Sequence, residues 1–458
     1  MLDRVLDTID RDLDESLARL FALLRIESIS TDPAYAGAVR EAADWLAADL
    51  AAIGFEAAVR PTPGHPMVVA HDPARPPGPH VLFYGHYDVQ PVDPLGEWAS
   101  PPFEPQVVTV AGRKRIVARG ASDDKGQLLT FVEACRAWKK ATGRLPVNVS
   151  IILEGEEESG SANLQPFLAE HAAELRADVA LVCDTAMWSA TRPAITIMLR
   201  GLVGEEFVVT AADRDLHSGL FGGAARNPNH VVADIIAGLH DAEGRVTLPG
   251  FYDGVPELPA EIRDIWESLG FDPAAFLGAV GLATPAGEVG RSVLEQVWAR
   301  PTCEVNGMIG GYTGEGFKTV IPARASAKVS FRLVGAQDPE RIREAFRAHV
   351  RSRLPADCPV TFTPHGGSPA LQLPHDGRFL DRARQALADE WGIEPGLIGS
   401  GGSIPVVGMF KEALGMDSLM IGFALDDDRI HSPNEKYELA SFRGGVRSWA
   451  RVLAALAG

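Results

Sequence analysis

Residues 80–88 read HVLFYGHYD, an unbroken apolar run that ends in a histidine and an aspartate. Two later stretches are built the same way. VNVSIILEG at 147–155 runs into Glu156, Glu157 and Glu158, and VALVCD at 179–184 closes on Asp184. Runs that are apolar at every position, not at alternate ones, belong to strands covered on both faces. MVVAHD at 67–72 reads as another strand, and Lys125–Thr142 and Asn163–Glu174 carry helical patterns between the strands. Strands alternating with helices imply an α/β fold with a doubly wound, mostly parallel sheet. Upstream, Val5, Ile9, Leu13, Leu17, Leu20 and Leu24 predict a helix over 3–26, and a second spans 36–53 before Gly54.

From about residue 199 the texture changes. EEFVVTA, TCEVNGMIGG, SAKVSFRLV and PVTFTP read as strands, with helices over Pro228–His240 and in PERIREAFRAHVRSRL. That order, βαββαβ, is the split ferredoxin-like α+β plan. A Pro/Gly-rich connection at 241–298, containing LPGFYDGVPELP, interrupts it. So long a connection is expected to be a functional insertion or a mobile stretch. After about 370 the first texture returns, with a helix at 378–391, the strand DSLMIGFA and a closing helix at 440–457. One domain is therefore expected inside another: catalytic parts at 1–198 and 369–458, and an inserted lid and dimerisation domain at 199–368.

A chain of 458 residues is too long for one compact core. Its net charge of −18 repels phosphate backbones and anionic bilayers, and no basic stripe offsets it, so neither nucleic acid nor membrane is expected as a partner. Four cysteines without a CxxC pair fit a reducing compartment. The acidic, amphipathic N-terminus lacks the apolar segment of a signal peptide, and no run approaches 18 apolar residues. The expected location is cytoplasmic.

In open α/β sheets the chemistry gathers at the carboxyl ends of strands. Those ends, with their following loops, deliver His86, Asp88, Asp123 in RGASDDKG, Glu157, Glu158, Asp184 and, in DDDRIHSPNEK, His431. A lone histidine on an apolar strand is usually a satisfied core residue. Several carboxylates and imidazoles at consecutive strand ends are different, because unpaired buried carboxylates need a cation. This donor mix suits Zn²⁺, Mn²⁺ or Co²⁺ better than a thiolate-seeking metal. A shared carboxylate would hold two cations roughly 3.5–4 Å apart, the spacing of hydrolytic dinuclear sites. Nearby acidic residues receive plainer readings: Asp124 as a helix-start carboxylate favoured by the macrodipole, Glu156 as solvated, and Asp426–Asp428 as a solvated loop. Cys183 reads as a small buried hydrophobe.

GHYDVQP, RGASDDKG, EGEEESGS and HSPNEK together resemble the four metal-site motifs of the M20 family of metallopeptidases. The resemblance spans essentially the whole chain and is strongest to the cytosolic dipeptidase, carnosinase-like branch. It implies two divalent metal ions, with Asp123 bridging, His86 and Asp184 completing one site, and Glu158 and His431 the other. It implies Glu157 as general base for a metal-bridged hydroxide and Asp88 as the partner that fixes the His86 tautomer. In the inserted domain, His217 of RDLHSGLFGG would stabilise the oxyanion, supplied by the partner subunit of a homodimer. Arg332 is a natural fork for a substrate carboxylate. His365 of PHGGSP and Ser403 of SGGSIPV would lie against the same substrate end, and Asn306 could face the cleft.

Asp184 looks peptidase-like, since Glu at that position is commoner in deacylases, and the insertion with GFYDGV resembles the dipeptidase branch. Gly399 and Ser400 depart from that branch, which often carries charged residues there. The implied activity is hydrolysis of dipeptides or similar small amides with a free carboxylate. An N-acyl amino acid deacylase would use the same site, and a non-catalytic metal-dependent binding protein is the remaining alternative.

Overall fold

A computed structural model of the protein describes residues 1–402 and 404–458. The chain divides into two compact units. One comprises Met1–Ile197, Leu373–Ile398 and Pro405–Gly458, the other Met198–Gln372 and Gly399–Ile404.

The first unit is organised on a mixed sheet. Its strands run in the order Glu56–Arg60, Met67–His71, Asn148–Glu154, His80–His86, Val179–Val182, Ser418–Met420 and Ala194–Leu199. Asn148–Glu154, His80–His86, Val179–Val182 and Ser418–Met420 form a parallel centre, and the flanking pairs are antiparallel. Neighbouring residues of His80–His86 point to opposite faces, and both faces are covered. Phe83 stacks on Phe131 of the helix Lys125–Thr142 at 3.9 Å between ring centroids, with Trp449 edge-on to Phe83 at 5.9 Å. On the other face Tyr84 meets Phe410 edge-on at 5.6 Å. Two-sided coverage is the physical reason the sequence shows unbroken apolar runs.

The second unit carries an antiparallel sheet ordered Thr302–Gly310, Arg324–Leu333, Gly201–Thr210 and Val360–Ser368. With the helices Pro228–Ala237 and Pro339–Ser352 this is the ferredoxin-like βαββαβ arrangement. Gly201–Thr210 alternates buried with half-buried residues, so one face packs against the helices and the other faces away. Phe207, Ile235, Phe331 and Phe346 form the packed side. Asn306 occupies a bulge, where the register with Arg324–Leu333 shifts between Val305 and Gly307.

Some elements differ from the sequence reading. The periodic stretch 3–26 is two helices, Leu2–Arg11 and Leu13–Leu24, broken at Asp12, whose carboxylate turns to Arg11 and Lys140. Asn163–Glu174 likewise divides into Leu164–Glu170 and Ala172–Leu175. The segment 241–298 is built, not structureless. It holds the helices Ala260–Ser268 and Pro273–Gly278, the latter starting at Pro273 and capped by Asp272, which accepts from Ala274 N and Ala275 N. Trp266 and Trp298 pack edge-on at 5.0 Å, and Arg291 makes a two-pronged bond to Glu257. A further small sheet joins Gln106–Val110, Arg113–Val117 and Lys436–Glu438. Its strands are short, and Gln106–Val110 and Arg113–Val117 are mostly exposed or half-buried, so neither shows the long apolar run of a strand covered on both faces.

Candidate metal centre

The parallel centre of the sheet brings its carboxyl ends side by side, and the chain turns there without regular structure. His86 is the last residue of its strand and Asp88 follows it, both fully buried. Asp123 lies two residues before the helix Lys125–Thr142. Glu157 and Glu158 open a single 3₁₀ turn, Glu157–Ser159, just beyond the strand Asn148–Glu154. Adjacent glutamates would diverge on a strand, but this turn keeps both at the same strand end. Asp184 lies two residues past Val179–Val182.

Two donor groups result. His86, Asp123 and Asp184 offer ligand atoms all within 4.8 Å of one another, and so do Asp123, Glu158 and His431. Asp123 belongs to both. Its Oδ1 lies 3.0 Å from His86 Nε2 and its Oδ2 2.9 Å from His431 Nε2. Glu158 Oε2 is 3.3 Å from the same His431 nitrogen, and Gln90 donates to it at 2.7 Å. Asp184 Oδ2 is 4.0 Å from His86 Nε2. Behind the site Asp88 Oδ1 sits 3.4 Å from His86 Nδ1, while its two oxygens accept from the backbone N–H groups of Glu157 and Glu158.

The electrostatics show why this donor set fits cations. Among the described residues, no lysine or arginine pairs with Asp123, Glu157, Glu158 or Asp184. Burial, with the nearby carboxylates, pushes Glu157 up to about 8 and Asp184 well above the usual carboxylate range. Burial disfavours a charged His86, yet bonding to Asp123 and Asp88 raises it well above the ordinary imidazole value. His431 is raised to about 10 by Asp123 and Glu158. Crowded carboxylates that can be neutralised only by taking protons are the environment a divalent ion relieves.

Three nearby residues depart from their sequence readings. Asp124 makes no cap bond to the helix that follows it. It is fully buried, accepts from the His86 N–H at 3.1 Å and from Cys183 Sγ at 3.2 Å, and burial raises it to about 7. Cys183 is thus a donor as well as a buried apolar group. Glu156 is not solvated but buried, taking bonds from His65 N and Asn163 Nδ2. Of the acidic run, Asp426 and Asp427 are exposed while Asp428 is buried against Lys436 and Ser122.

His217, Arg332, His365 and Asn306 all belong to the second unit, and Ser403 lies outside the described residues. His217 is exposed, and its Nδ1 accepts from Gly219 N at 3.0 Å. Arg332 stands opposite Leu202, on the sheet face away from the helices, and no carboxylate is bonded to it among the described residues. His365 shares this face: its Cβ lies closest to the position a Cβ on Gly204 would take, and its ring nears Glu206 at 3.8 Å. Sequence reasoning missed Arg200. It immediately precedes the strand Gly201–Thr210, and its Nε donates to Gly401 O at 3.2 Å. Burial and the Arg332 charge lower it to about 10. Only the folded structure brings the two charges near each other.

A doubly wound sheet, a ferredoxin-like second unit and two donor groups sharing one aspartate define a metal-dependent hydrolase. Residues 82–455 match the family described as Peptidase family M20/M25/M40, and the chain belongs to that family. It is 30% identical to the Cys-Gly metallodipeptidase of Schizosaccharomyces pombe, an alignment covering 100% of this chain and 98% of the relative. It is 28% identical to the human Beta-Ala-His dipeptidase, over 98% and 92% of the two chains. Among solved structures, human carnosine dipeptidase 1 superposes with a TM-score of 0.84 at 27% identity, covering 100% and 98%. The M20 family metallo-carboxypeptidase Sso-CP2 of Sulfolobus solfataricus gives 0.84 at 32% identity, covering 97% and 99%. The dipeptidases among these relatives agree with the branch that the four motifs resemble.

Proposed function

We propose that the protein is a two-metal hydrolase that cleaves the amide bond of dipeptides, or of similarly small substrates with a free carboxylate. The observation that carries this reading is the Asp123 carboxylate, which faces an imidazole on each oxygen. His86, Asp123 and Asp184 would hold one cation, and Asp123, Glu158 and His431 the other. Zn²⁺ is the first choice for this donor set, with Mn²⁺ and Co²⁺ also suited to it. Bound there, two cations would polarise the scissile carbonyl and lower the pKa of a water between them to about 7.

The remaining work falls to side chains. Glu157 takes the proton of the attacking water and returns it to the leaving amine. Asp88 holds the His86 ring through Nδ1 and, by accepting from Glu157 N and Glu158 N, also fixes the turn that bears the base. His217, offered by the partner subunit of a homodimer formed through the inserted domain, stabilises the oxyanion. Arg332, His365 and Ser403 receive the substrate carboxylate, and Arg200 adds positive charge beside Arg332. The roles divide between a catalytic domain (1–198 and 369–458) and a lid and dimerisation domain (199–368), in a cytoplasmic enzyme.

The dipeptidase relatives support the substrate class. The Sulfolobus solfataricus neighbour supports a second reading, a metallo-carboxypeptidase, which would use the same donor groups and the same carboxylate-binding residues of this chain. The test is amine release from chelator-stripped protein with Zn²⁺, Mn²⁺ or Co²⁺ restored, across free dipeptides, N-blocked dipeptides, longer peptides and N-acyl amino acids. Metal-dependent cleavage centred on free dipeptides is expected. Preference for longer or N-blocked peptides would select the carboxypeptidase reading, and cleavage of N-acyl amino acids alone would select a deacylase. Bound metal with no hydrolysis of any member would overturn the enzyme reading.

A further inference from the structure

The loop that carries His431 adopts a backbone it would not choose unaided. Arg429, His431 and Asn434 have φ of 58°, 62° and 63°, the left-handed region that side-chain-bearing residues disfavour. A loop of this kind persists only if its surroundings over-determine it, and here bonds at both ends do so. Asn434 is clipped on one side, its Oδ1 accepting from Ala99 N at 2.7 Å and its Nδ2 donating to Glu97 O at 2.8 Å. Glu435, fully buried, reaches the other way into the loop that carries Asp123.

Both Glu435 oxygens are doubly engaged. Oε1 accepts from Ser122 N at 2.8 Å and from Asp123 N at 3.0 Å. Oε2 accepts from Gly120 N at 2.9 Å and from Arg119 Nη1 at 2.8 Å. One carboxylate thereby gathers three successive-loop N–H groups and a buried guanidinium, and only an acceptor at both oxygens can do that. Asp428 adds a parallel tie, accepting from Ser122 Oγ at 2.7 Å and pairing with Lys436 at 2.6 Å. Glu435 touches the N–H of Asp123 itself and stands four residues after His431. A short, bonded path therefore runs from each of these two residues to the same carboxylate.

We propose that Glu435 is a positioning residue of the metal centre, a clamp that sets the Asp123 carboxylate against the His431 imidazole before any cation arrives. The proposal rests on the reading of Asp123 and His431 as ligands. It assigns Glu435 no contact with the reacting atoms. Its effect is preorganisation: without it the two ligand-bearing loops must be ordered by the cation, which weakens binding.

The test compares the wild type, Glu435→Gln, Asp123→Asn and Glu133→Gln as stripped full-length proteins titrated with Co²⁺ or Zn²⁺ against a chromophoric chelator. Glu133 is an equally suitable buried control, held by Ser16, Arg19 and Arg136 away from the four motifs. Gln at 435 turns a donor toward one of its two donor pairs, Gly120 N with Arg119 or Ser122 N with Asp123 N, and should lower cation affinity about ten- to a hundred-fold, as loss of ligand-orienting groups does. The visible Co²⁺ spectrum should change with it. Glu133→Gln should lower the melting temperature and leave affinity and spectrum alone. Wild-type affinity in Glu435→Gln, or an equal loss in Glu133→Gln, would overturn the proposal. Unchanged affinity in Asp123→Asn would instead overturn the ligand reading beneath it. If Glu435→Gln does not fold, Glu435→Asp keeps the charge on a shorter arm, and wild-type affinity in that variant would likewise overturn the clamp.

Discussion

Asp123 and His431 stand 308 positions apart in the chain and 2.9 Å apart in space, His431 Nε2 against Asp123 Oδ2. The other Asp123 oxygen faces His86 Nε2 at 3.0 Å, so one carboxylate lies between two imidazoles from opposite ends of the sequence. Around it the structure gathers more negative charge than these histidines can neutralise.

Replacing Glu157 with Gln keeps the size of the side chain and removes its ability to carry a proton. We expect kcat to fall by about 10²–10⁴, the usual contribution of a positioned general base. Metal content by elemental analysis should stay at the wild-type level, since Glu157 belongs to neither donor group. Near-normal turnover would transfer the base role elsewhere.

Cations should stabilise the fold, because the site exists only when the strand ends are assembled. At a free cation concentration a hundred times the dissociation constant, one site adds about 2.7 kcal/mol. Thermal unfolding of stripped protein with and without Zn²⁺, Mn²⁺ or Co²⁺ measures this directly. Asp123→Asn should abolish most of the gain, and a melting temperature indifferent to all three ions would contradict the two donor groups.

Arg332 is half-buried on a sheet face and carries no bonded carboxylate among the described residues. If it receives the substrate carboxylate, Arg332→Met should raise KM for free dipeptides by about ten- to a hundred-fold, the loss expected for hydrogen bonds to a charged group. Amidated dipeptides should be poor for the wild type and barely worse for the variant. A uniform loss on both series would assign Arg332 to packing.

His349 gives the second unit an acid-sensitive point. Its Nδ1 lies 3.0 Å from Arg353 Nη1, which can only donate, so the remaining proton sits on Nε2 and is given to Ile235 O at 3.0 Å. Burial, opposed in part by that bond, lowers its pKa below the ordinary imidazole value. The unfolded chain then binds the proton first. Stability is full above the unfolded pKa of about 6.5 and declines as pH falls below it. His349→Gln can reproduce the neutral donor–acceptor pattern without titrating. Urea midpoints at pH 7.5 and 5.5 should therefore drop further for the wild type than for the variant, and parallel drops would exclude His349 as the cause.

Much of this architecture was legible because burial on both faces leaves a local mark. VLFY in HVLFYGHYD, IIL in VNVSIILEG and VALVC in VALVCD are apolar at successive positions because helices cover both sides of the sheet, and the residues after them fall where a parallel sheet exposes its chemistry. The βαββαβ order of the second unit was equally readable from alternating periods. Strands that are not buried on both faces escaped notice, such as the hairpin of Gln106–Val110, whose valines are largely exposed, and the charged Arg113–Val117. Periodicity also ran straight through the break at Asp12, since the apolar spacing continues on both sides of it.

Neighbouring acidic residues were harder to sort, and the reason is physical. Asp123 and Asp124 are identical in type and adjacent in sequence, yet one faces two imidazoles and the other is sealed beneath the His86 backbone. Glu156 likewise lies buried against His65 and Asn163, next to Glu157 at the site. The sequence by itself determined the sheet type, the strand ends that carry chemistry and the donor chemistry of the centre, because each depends on residue type and local period. Tertiary structure alone decided which carboxylate oxygen meets which imidazole, that Arg200 neighbours Arg332, and that Glu435 ties two distant loops together. Those relations arise from strand register and loop packing between segments hundreds of residues apart, and no local pattern encodes them.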